Sequence, residues 1–270
     1  MKIIRTVRGD IWPEEMGVTA THEHLYCDQR LCRADLDFPG TYAKMVLQDK
    51  DLVVSELADF YAAGGRAIAE MTASGWGRDV AALKEISERS DVHVIGISGF
   101  YVEDCLPEYV DEASIEDLVE IIVREVNEGA DGTEIRTGLL KSGVGRPVIE
   151  GREAKCARAV ARAQMATGLA ITTHTSASSR FEVPGGNLGM QHLDLFEKEG
   201  VDPSRVIIGH TDENVDIRNL VAMAERGAYL QFDVIGKLHW MLDETRVELL
   251  SQLVDKGYGD RLLLSSDRCR

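Results

Sequence analysis

The stretch 152–174, which reads REAKCARAVARAQMATGLAITTH, carries the structural unit that decides the fold. Its first part is rich in alanine, is predicted to be helical and ends at Gly168, a residue type that commonly takes the left-handed conformation that terminates a helix. A short apolar run follows and ends at His174. A helix followed directly by a short apolar strand is typical of proteins in which helices cover a parallel sheet.

This unit recurs along the chain. Five further stretches have apolar residues at helical spacing, end next to a glycine and precede an apolar run: 52–63, 115–128, 190–199, 215–226 and 246–256. We predict eight strands, centred near residues 20, 68, 95, 139, 171, 208, 230 and 263. Eight parallel strands in 270 residues favour an α/β fold of the (β/α)₈ TIM-barrel type over an open doubly wound sheet. The absence of a GxGxxG motif after an early strand argues against a dinucleotide-binding fold.

The chain is expected to form one domain. No linker or shift in composition divides residues 1–270, so we predict a single barrel domain over that range. The eighth predicted strand is followed only by the last few residues, up to Arg270. The eighth helix of a complete barrel is therefore apparently missing from this sequence, and we expect a barrel that is incomplete at its C-terminal end.

Composition excludes several classes of protein. Asp and Glu total 46 against 30 Lys and Arg, which gives a formal net charge of −16 and argues against binding to nucleic acid or to a membrane surface. We find no apolar run long enough for a transmembrane helix and no secretory signal at the N-terminus. The five cysteines are scattered without a CxxC pair, so we expect no disulfide framework and a cytoplasmic location.

Six possible metal ligands follow the predicted strands at one end of the barrel, where barrel enzymes build their sites. Neutral imidazole and carboxylate suit Zn²⁺, Mn²⁺, Co²⁺ or Fe²⁺. Taken singly, a strand-end histidine is as readily a hydrogen-bonded structural residue, and the alternative for the lysine is binding of phosphate or a salt bridge. The convergence of the set favours a metal site. Its members are His22, His24, Lys141, His174, His210 and Asp267.

The remaining histidines serve as a comparison. His93 lies inside a predicted strand and His192 in a helical stretch, so we interpret both as structural. His239 lies in the loop after the seventh strand, where a substrate contact and a surface position are both open.

The chain resembles the phosphotriesterase family of the amidohydrolase superfamily, including its lactonase-like members. The resemblance rests on segments in matching order: VTATHEHL over 18–25, GLLK over 138–141, ITTHT over 171–175, VIIGHTDE over 206–213 and LLSSD over 263–267. It implies a binuclear metal centre, with zinc as the first expectation, and a homodimer. His22, His24 and Asp267 would hold the more buried ion, His174 and His210 the more exposed one. Lys141, carboxylated by CO₂ to a carbamate, would bridge the two.

The resemblance also implies a mechanism and a class of substrate. Two metals lower the pKa of a bridging water, so that a hydroxide attacks an ester, lactone or phosphotriester centre. Asp267 would accept the proton, and with Lys141 it forms the predicted catalytic pair. No serine nucleophile is required, since the Gly-x-Ser-x-Gly motif is absent.

Substrate contacts are assigned less directly. We expect Tyr101 and Phe100 to contact the substrate, although an aromatic at the edge of the core is an equal alternative for Tyr101. Asp233 is expected to orient its neighbours. Val234 occupies the position where strong organophosphate hydrolases of the family carry His and lactonase-like members tend to carry Arg. We therefore expect a small lactone, carboxyl ester or amide as native substrate, with organophosphates as promiscuous ones.

Two alternatives from other classes stay open at this point. One is a non-catalytic, metal-bound barrel that binds a ligand or partner. The other is a phosphate-binding barrel enzyme that uses Lys141 for a Schiff base or to bind an anion.

Overall fold

The computed structural model describes residues 2–32, 46–175 and 187–268. Cys269 and Arg270 lie outside these ranges. Within them the chain forms thirteen β-strands: β1 (Ile4–Thr6), β2 (Gly9–Ile11), β3 (Val18–Glu23), β4 (Cys27–Asp28), β5 (Val46–Leu47), β6 (Gly65–Glu70), β7 (His93–Ile95), β8 (Ile97–Phe100), β9 (Leu139–Val144), β10 (Ile171–Thr175), β11 (Val206–Ile208), β12 (Tyr229–Phe232) and β13 (Leu262–Leu264).

Helices alternate with these strands. They are α1 (Lys50–Ala62), α2 (Val80–Ser90), α3 (Tyr109–Glu112), α4 (Ile115–Asn127), α5 (Gly151–Thr167), α6 (Leu188–Lys198), α7 (Ile217–Glu225) and α8 (Asp243–Asp255). No helix in the described ranges is long and apolar enough to cross a membrane.

The strands form the parallel barrel that the sequence predicts. β3, β6 and β7 pair in parallel, and β8 to β13 pair in parallel in chain order. β7 and β8 are two halves of one barrel strand, separated at Gly96. The last segment returns to the first strand, because the amide of Asp267 donates to the carbonyl of His22 at 3.1 Å and that of His24 to the carbonyl of Arg268 at 3.1 Å. All eight predicted strands are present, and the fold is a (β/α)₈ TIM barrel.

The main hydrophobic core lies between the sheet and helices α4 to α8. α5 ends, as predicted, at Gly168 with φ 71°. Helix α2 is absent from the sequence prediction because it departs from the recurring unit: its C-terminal residue in the left-handed conformation is Asp91, with φ 57°, instead of a glycine. On the outside of β13, no helix of the described residues covers Leu264, which is 51% exposed.

A disulfide joins Cys32 to Cys105 across 73 positions. The expectation of no disulfide was wrong, because it considered only the number and spacing of cysteines along the sequence. The barrel brings the loops after β4 and β8 together at its carboxyl end. With Trp76, the two cysteines form a small buried cluster.

We predict that reduction of this disulfide destabilises the protein. A cross-link of this span restricts the unfolded chain, so dithiothreitol should lower the free energy of unfolding by about 2–4 kcal/mol, measured by urea denaturation. The double variant Cys32→Ser/Cys105→Ser lacks the disulfide, so its urea midpoint should be the same with and without reductant. An unchanged wild-type midpoint on reduction contradicts the prediction.

Candidate metal centre

All six predicted ligands meet at one cavity. It has a volume of about 520 Å³ and opens at the carboxyl ends of the barrel strands. His22, His24, Lys141, His174, His210 and Asp267 all line it. Side chains that are far apart in the sequence converge here because each follows a different parallel strand of one closed sheet.

The first group of ligands comes from β3 and from the segment after β13. Nε2 of His22 lies 3.7 Å from Oδ1 of Asp267, and Nε2 of His24 lies 3.4 Å from the same oxygen. One ligand atom from each of the three residues fits within 4.8 Å of the other two. The register of β3 against β6 shifts between Ala20 and Glu23, the stretch that contains His22. This group can hold one divalent ion.

The second group lies beside the first. His174 is the penultimate residue of β10 and His210 follows β11. Nε2 of His210 lies 2.6 Å from Nδ1 of His174. The ring centroids of His210 and His22 are 5.0 Å apart. His210 has a φ of 54°, a left-handed conformation that a non-glycine residue adopts only at a cost. The two histidines can hold a second ion close to the first.

Lys141 on β9 lines the same cavity and is 1% exposed. Burial lowers the pKa of Lys141 to about 8, although the nearby carboxylates of Asp233 and Asp267 act in the opposite direction. On the neighbouring strand, a Cβ at Gly99 would lie 2.2 Å from the carbonyl oxygen of Lys141, so only glycine permits this approach.

Asp233 fixes one histidine from each group. Its Oδ2 lies 2.8 Å from Nδ1 of His22, and its Oδ1 lies 2.7 Å from Nδ1 of His210. Binding of both Nδ1 atoms leaves the Nε2 atoms to face the cavity. His22, His210 and Asp233 are also close enough to hold an ion, but these contacts favour the orienting role predicted for Asp233.

The charges of the site follow from burial and from these contacts. Burial lowers the pKa of His22 to about 4, and the Lys141 charge acts in the same direction. Burial also lowers the pKa of His174, to well below its usual value. Burial alone would lower the pKa of His210, but the Asp233 carboxylate raises it to about 9. Near neutral pH, two of the imidazoles are therefore neutral and ready to bind a cation.

The carboxylate of Asp267 is ionised in this setting. Burial would raise its pKa, but the hydrogen bond to His24 and the charges of the other histidines hold the pKa well below its usual value. Its Oδ2 also lies 2.5 Å from Nζ of Lys237. Asp267 itself has a φ of 47°.

An aromatic wall closes one side of the cavity. The hydroxyl of Tyr101 lies 3.4 Å from Nε2 of His174. Trp76 stacks on the Tyr101 ring at 4.5 Å and contacts the His24 ring at 4.4 Å. Tyr101 therefore lines the cavity as expected. Phe100 does not, because successive strand residues point to opposite faces: it is 2% exposed in the core between sheet and helices, so this position corrects the predicted substrate contact.

Several lining residues are absent from the sequence prediction: Trp76, Lys237, Trp240, Ser266 and Arg268. They belong to loops, where no periodicity signals which side chains turn inward. His239 also lines the cavity, in agreement with one of its two readings. Away from the cavity, His93 bonds with Arg8 at 3.0 Å and His192 with the carbonyl of Leu188 at 3.1 Å, as their structural interpretation implies.

Comparison with known proteins identifies relatives over nearly the whole chain. The model of the phosphotriesterase family matches residues 2–270. The phosphotriesterase homology protein of Escherichia coli (strain K12) is 33% identical over 255 residues, 94% of this chain and 82% of the relative. The N-acetyltaurine hydrolase of Salmo salar is 31% identical over 301 residues, 98% of this chain and 83% of the relative.

A solved structure agrees with these matches. The lactonase of Listeria monocytogenes superposes with a TM-score of 0.87 at 28% identity, over 100% of this chain and 83% of that chain. The chain belongs to the phosphotriesterase family.

Proposed function

We propose that this protein is a binuclear metal-dependent hydrolase of small-molecule esters, lactones or amides. The observation that carries the proposal is the convergence of six ligand side chains on one cavity. Membership of the phosphotriesterase family supports hydrolysis in general. The bond and the substrate are inferred from the site and from the named activities of relatives.

The residues present fit two ions. His22, His24 and Asp267 would hold one and His174 with His210 the other, because their imidazole nitrogens and carboxylate oxygens are common metal ligands and lie within a few ångströms of each other. Lys141 would bridge them as a carbamate, since a buried amine with a lowered pKa has a neutral fraction that reacts with CO₂. When bound, two divalent ions supply Lewis acidity and a water of lowered pKa. We expect zinc first, with manganese, cobalt or iron as alternatives.

The chain's own residues have separate tasks in this proposal. Asp267 takes up the proton released during hydrolysis, and Lys237 at 2.5 Å stabilises its carboxylate. Asp233 holds the imidazoles of His22 and His210 in fixed orientations. Tyr101 and Trp76 form the wall against which the substrate packs.

Substrate choice is argued from the cavity and the relatives. Val234 lines the cavity where a His or Arg would serve organophosphate or lactone chemistry in other members. One structural relative is named a lactonase and one sequence relative an N-acetyltaurine hydrolase, which acts on an amide. We therefore retain lactones, carboxyl esters and amides as substrate classes, and place phosphotriesters as promiscuous substrates.

The homodimer and the cytoplasmic location stay predictions. The Cys32–Cys105 disulfide argues against the predicted location, because disulfides are rare in the cytosol. Cell fractionation would test that prediction directly.

We predict that ligand variants lose activity together with metal. His22→Ala and Asp267→Asn should each lower kcat/KM by roughly 10²- to 10⁴-fold, because a metal ligand is lost and, at Asp267, also the proton acceptor. Hydrolysis of a γ-lactone, an aryl acetate and an N-acetyl amino acid is measured beside metal content. His93→Gln, which replaces a histidine outside the cavity, should retain both. A wild-type protein that binds metal but hydrolyses none of these classes favours the non-catalytic alternative.

Metal binding should release a proton from His210. Its pKa of about 9 leaves it protonated in the metal-free protein near neutral pH, whereas a metal binds the neutral ring. Apparent affinity should therefore rise as pH increases toward that pKa. Asp233→Asn removes the group that raises the pKa, so fewer protons should be released per chain at about pH 7.5. Calorimetry in two buffers of different ionisation enthalpy counts them; equal counts in both proteins contradict the prediction.

A further inference from the structure

Glu23, the last residue of β3, lies between the candidate ligands His22 and His24 and is not among the residues that line the cavity. Its carboxylate accepts four hydrogen bonds, all from the segment 265–268. Oε1 accepts from Oγ of Ser265 at 2.7 Å and from both the amide and Oγ of Ser266 at 2.9 Å. Oε2 accepts from the amide of Arg268 at 2.6 Å. One buried side chain thus binds three residues of a four-residue segment.

Asp267 is the remaining residue of that segment, and its backbone is in a left-handed conformation with φ 47°. Asp267 therefore needs outside contacts to hold this shape. Two backbone hydrogen bonds to β3 contribute, from the amide of Asp267 and to the carbonyl of Arg268. The hydrogen bonds that Glu23 accepts from Ser266 and Arg268 fix the residues on either side of Asp267 in the sequence.

The partners of Glu23 are neutral donors. Glu23 is 7% exposed. The guanidinium of Arg268 does not pair with Glu23, because it donates to Glu56 at 2.9 Å. A carboxylate is a strong hydrogen-bond acceptor, and two backbone amides and two hydroxyls donate to this one. These donors would lose their acceptor, or face another donor, if the charge or one oxygen were removed.

We propose that Glu23 is a positioning residue that places the Asp267 carboxylate opposite His22 and His24. The proposal rests on the proposed metal centre, because Asp267 is one of its ligands. In this proposal the imidazoles of His22 and His24 face the cavity and supply ligand atoms. The carboxylate of Glu23 lies on the other side of the strand and holds the third ligand, Asp267, in place. Closure of the barrel below this point does not depend on Glu23, since Oγ1 of Thr21 donates to the carbonyl of Leu264 at 3.1 Å.

The test is zinc affinity of the full-length protein, measured by competition with a chromogenic chelator. Glu23→Gln keeps the size of the side chain but turns one acceptor into a donor that faces other donors. We expect its affinity for Zn²⁺ to fall about 10- to 100-fold. Glu56→Gln is the matched control, because it makes the same change on a partly exposed residue that pairs with the side chain of Arg268. It should bind Zn²⁺ as tightly as the wild type.

A double-mutant cycle separates positioning from a general effect on folding. If Glu23 acts through Asp267, Glu23→Gln should weaken Zn²⁺ binding in the wild type but add little in the Asp267→Asn background. Should Glu23→Gln fail to fold, Ser266→Ala removes one hydroxyl donor and is expected to weaken binding about threefold. Unchanged affinity in these variants, or additive losses in the cycle, would overturn the proposal.

These outcomes are distinct from failure of the proposed activity. A protein that binds Zn²⁺ through Glu23-dependent geometry yet hydrolyses nothing refutes the hydrolase and supports the positioning role. A wild type that binds no Zn²⁺ refutes both.

Discussion

One buried carboxylate, Asp233, holds the candidate metal centre together. It contacts Nδ1 of both His22 and His210, and so joins a ligand from the first strand of the barrel to one from the sixth. Burial would raise its pKa, but the two histidines hold the pKa well below its usual value, so the group remains charged. Without this contact the imidazoles could rotate, and their Nε2 atoms would no longer share one direction.

Asp233 is supported in turn by a second buried charge pair. Asp212 accepts from the amides of Asp233 and Val234 at 3.2 and 3.1 Å, and Arg246 donates to Asp212 at 2.9 Å. Arg246 lies on α8 and is 1% exposed, so its guanidinium is a buried cation beneath the loop that follows β12. Removing one member of such a pair leaves an uncompensated buried charge, which costs more than the pair itself contributes. Precision at the metal ligands therefore depends on charges well outside the cavity.

The barrel fold and the convergence of the six candidate ligands could be predicted from the sequence for the same physical reason. Parallel strands in a closed sheet end at one face, so polar residues such as His174 and Asp267 that end predicted strands had to meet. Features that depend on the conformation of a few neighbouring residues could not be predicted in this way. The break at Gly96 and the alternation of side chains put Phe100 in the core, and a left-handed aspartate ended α2 in place of glycine. The disulfide, Trp76 and the contacts of Glu23 depend on loop conformations that have no period in the sequence.

The proposed function requires a pair of ions in the cavity, bridged by a carboxylated lysine. Anomalous diffraction at the metal absorption edge, on crystals grown with the metal and bicarbonate, locates such ions. We expect two anomalous peaks about 3.5–4 Å apart between the histidines, with electron density for a carbamate extending from Lys141. A single peak or none in the cavity, or an unmodified Lys141 amine beside two ions, would contradict it.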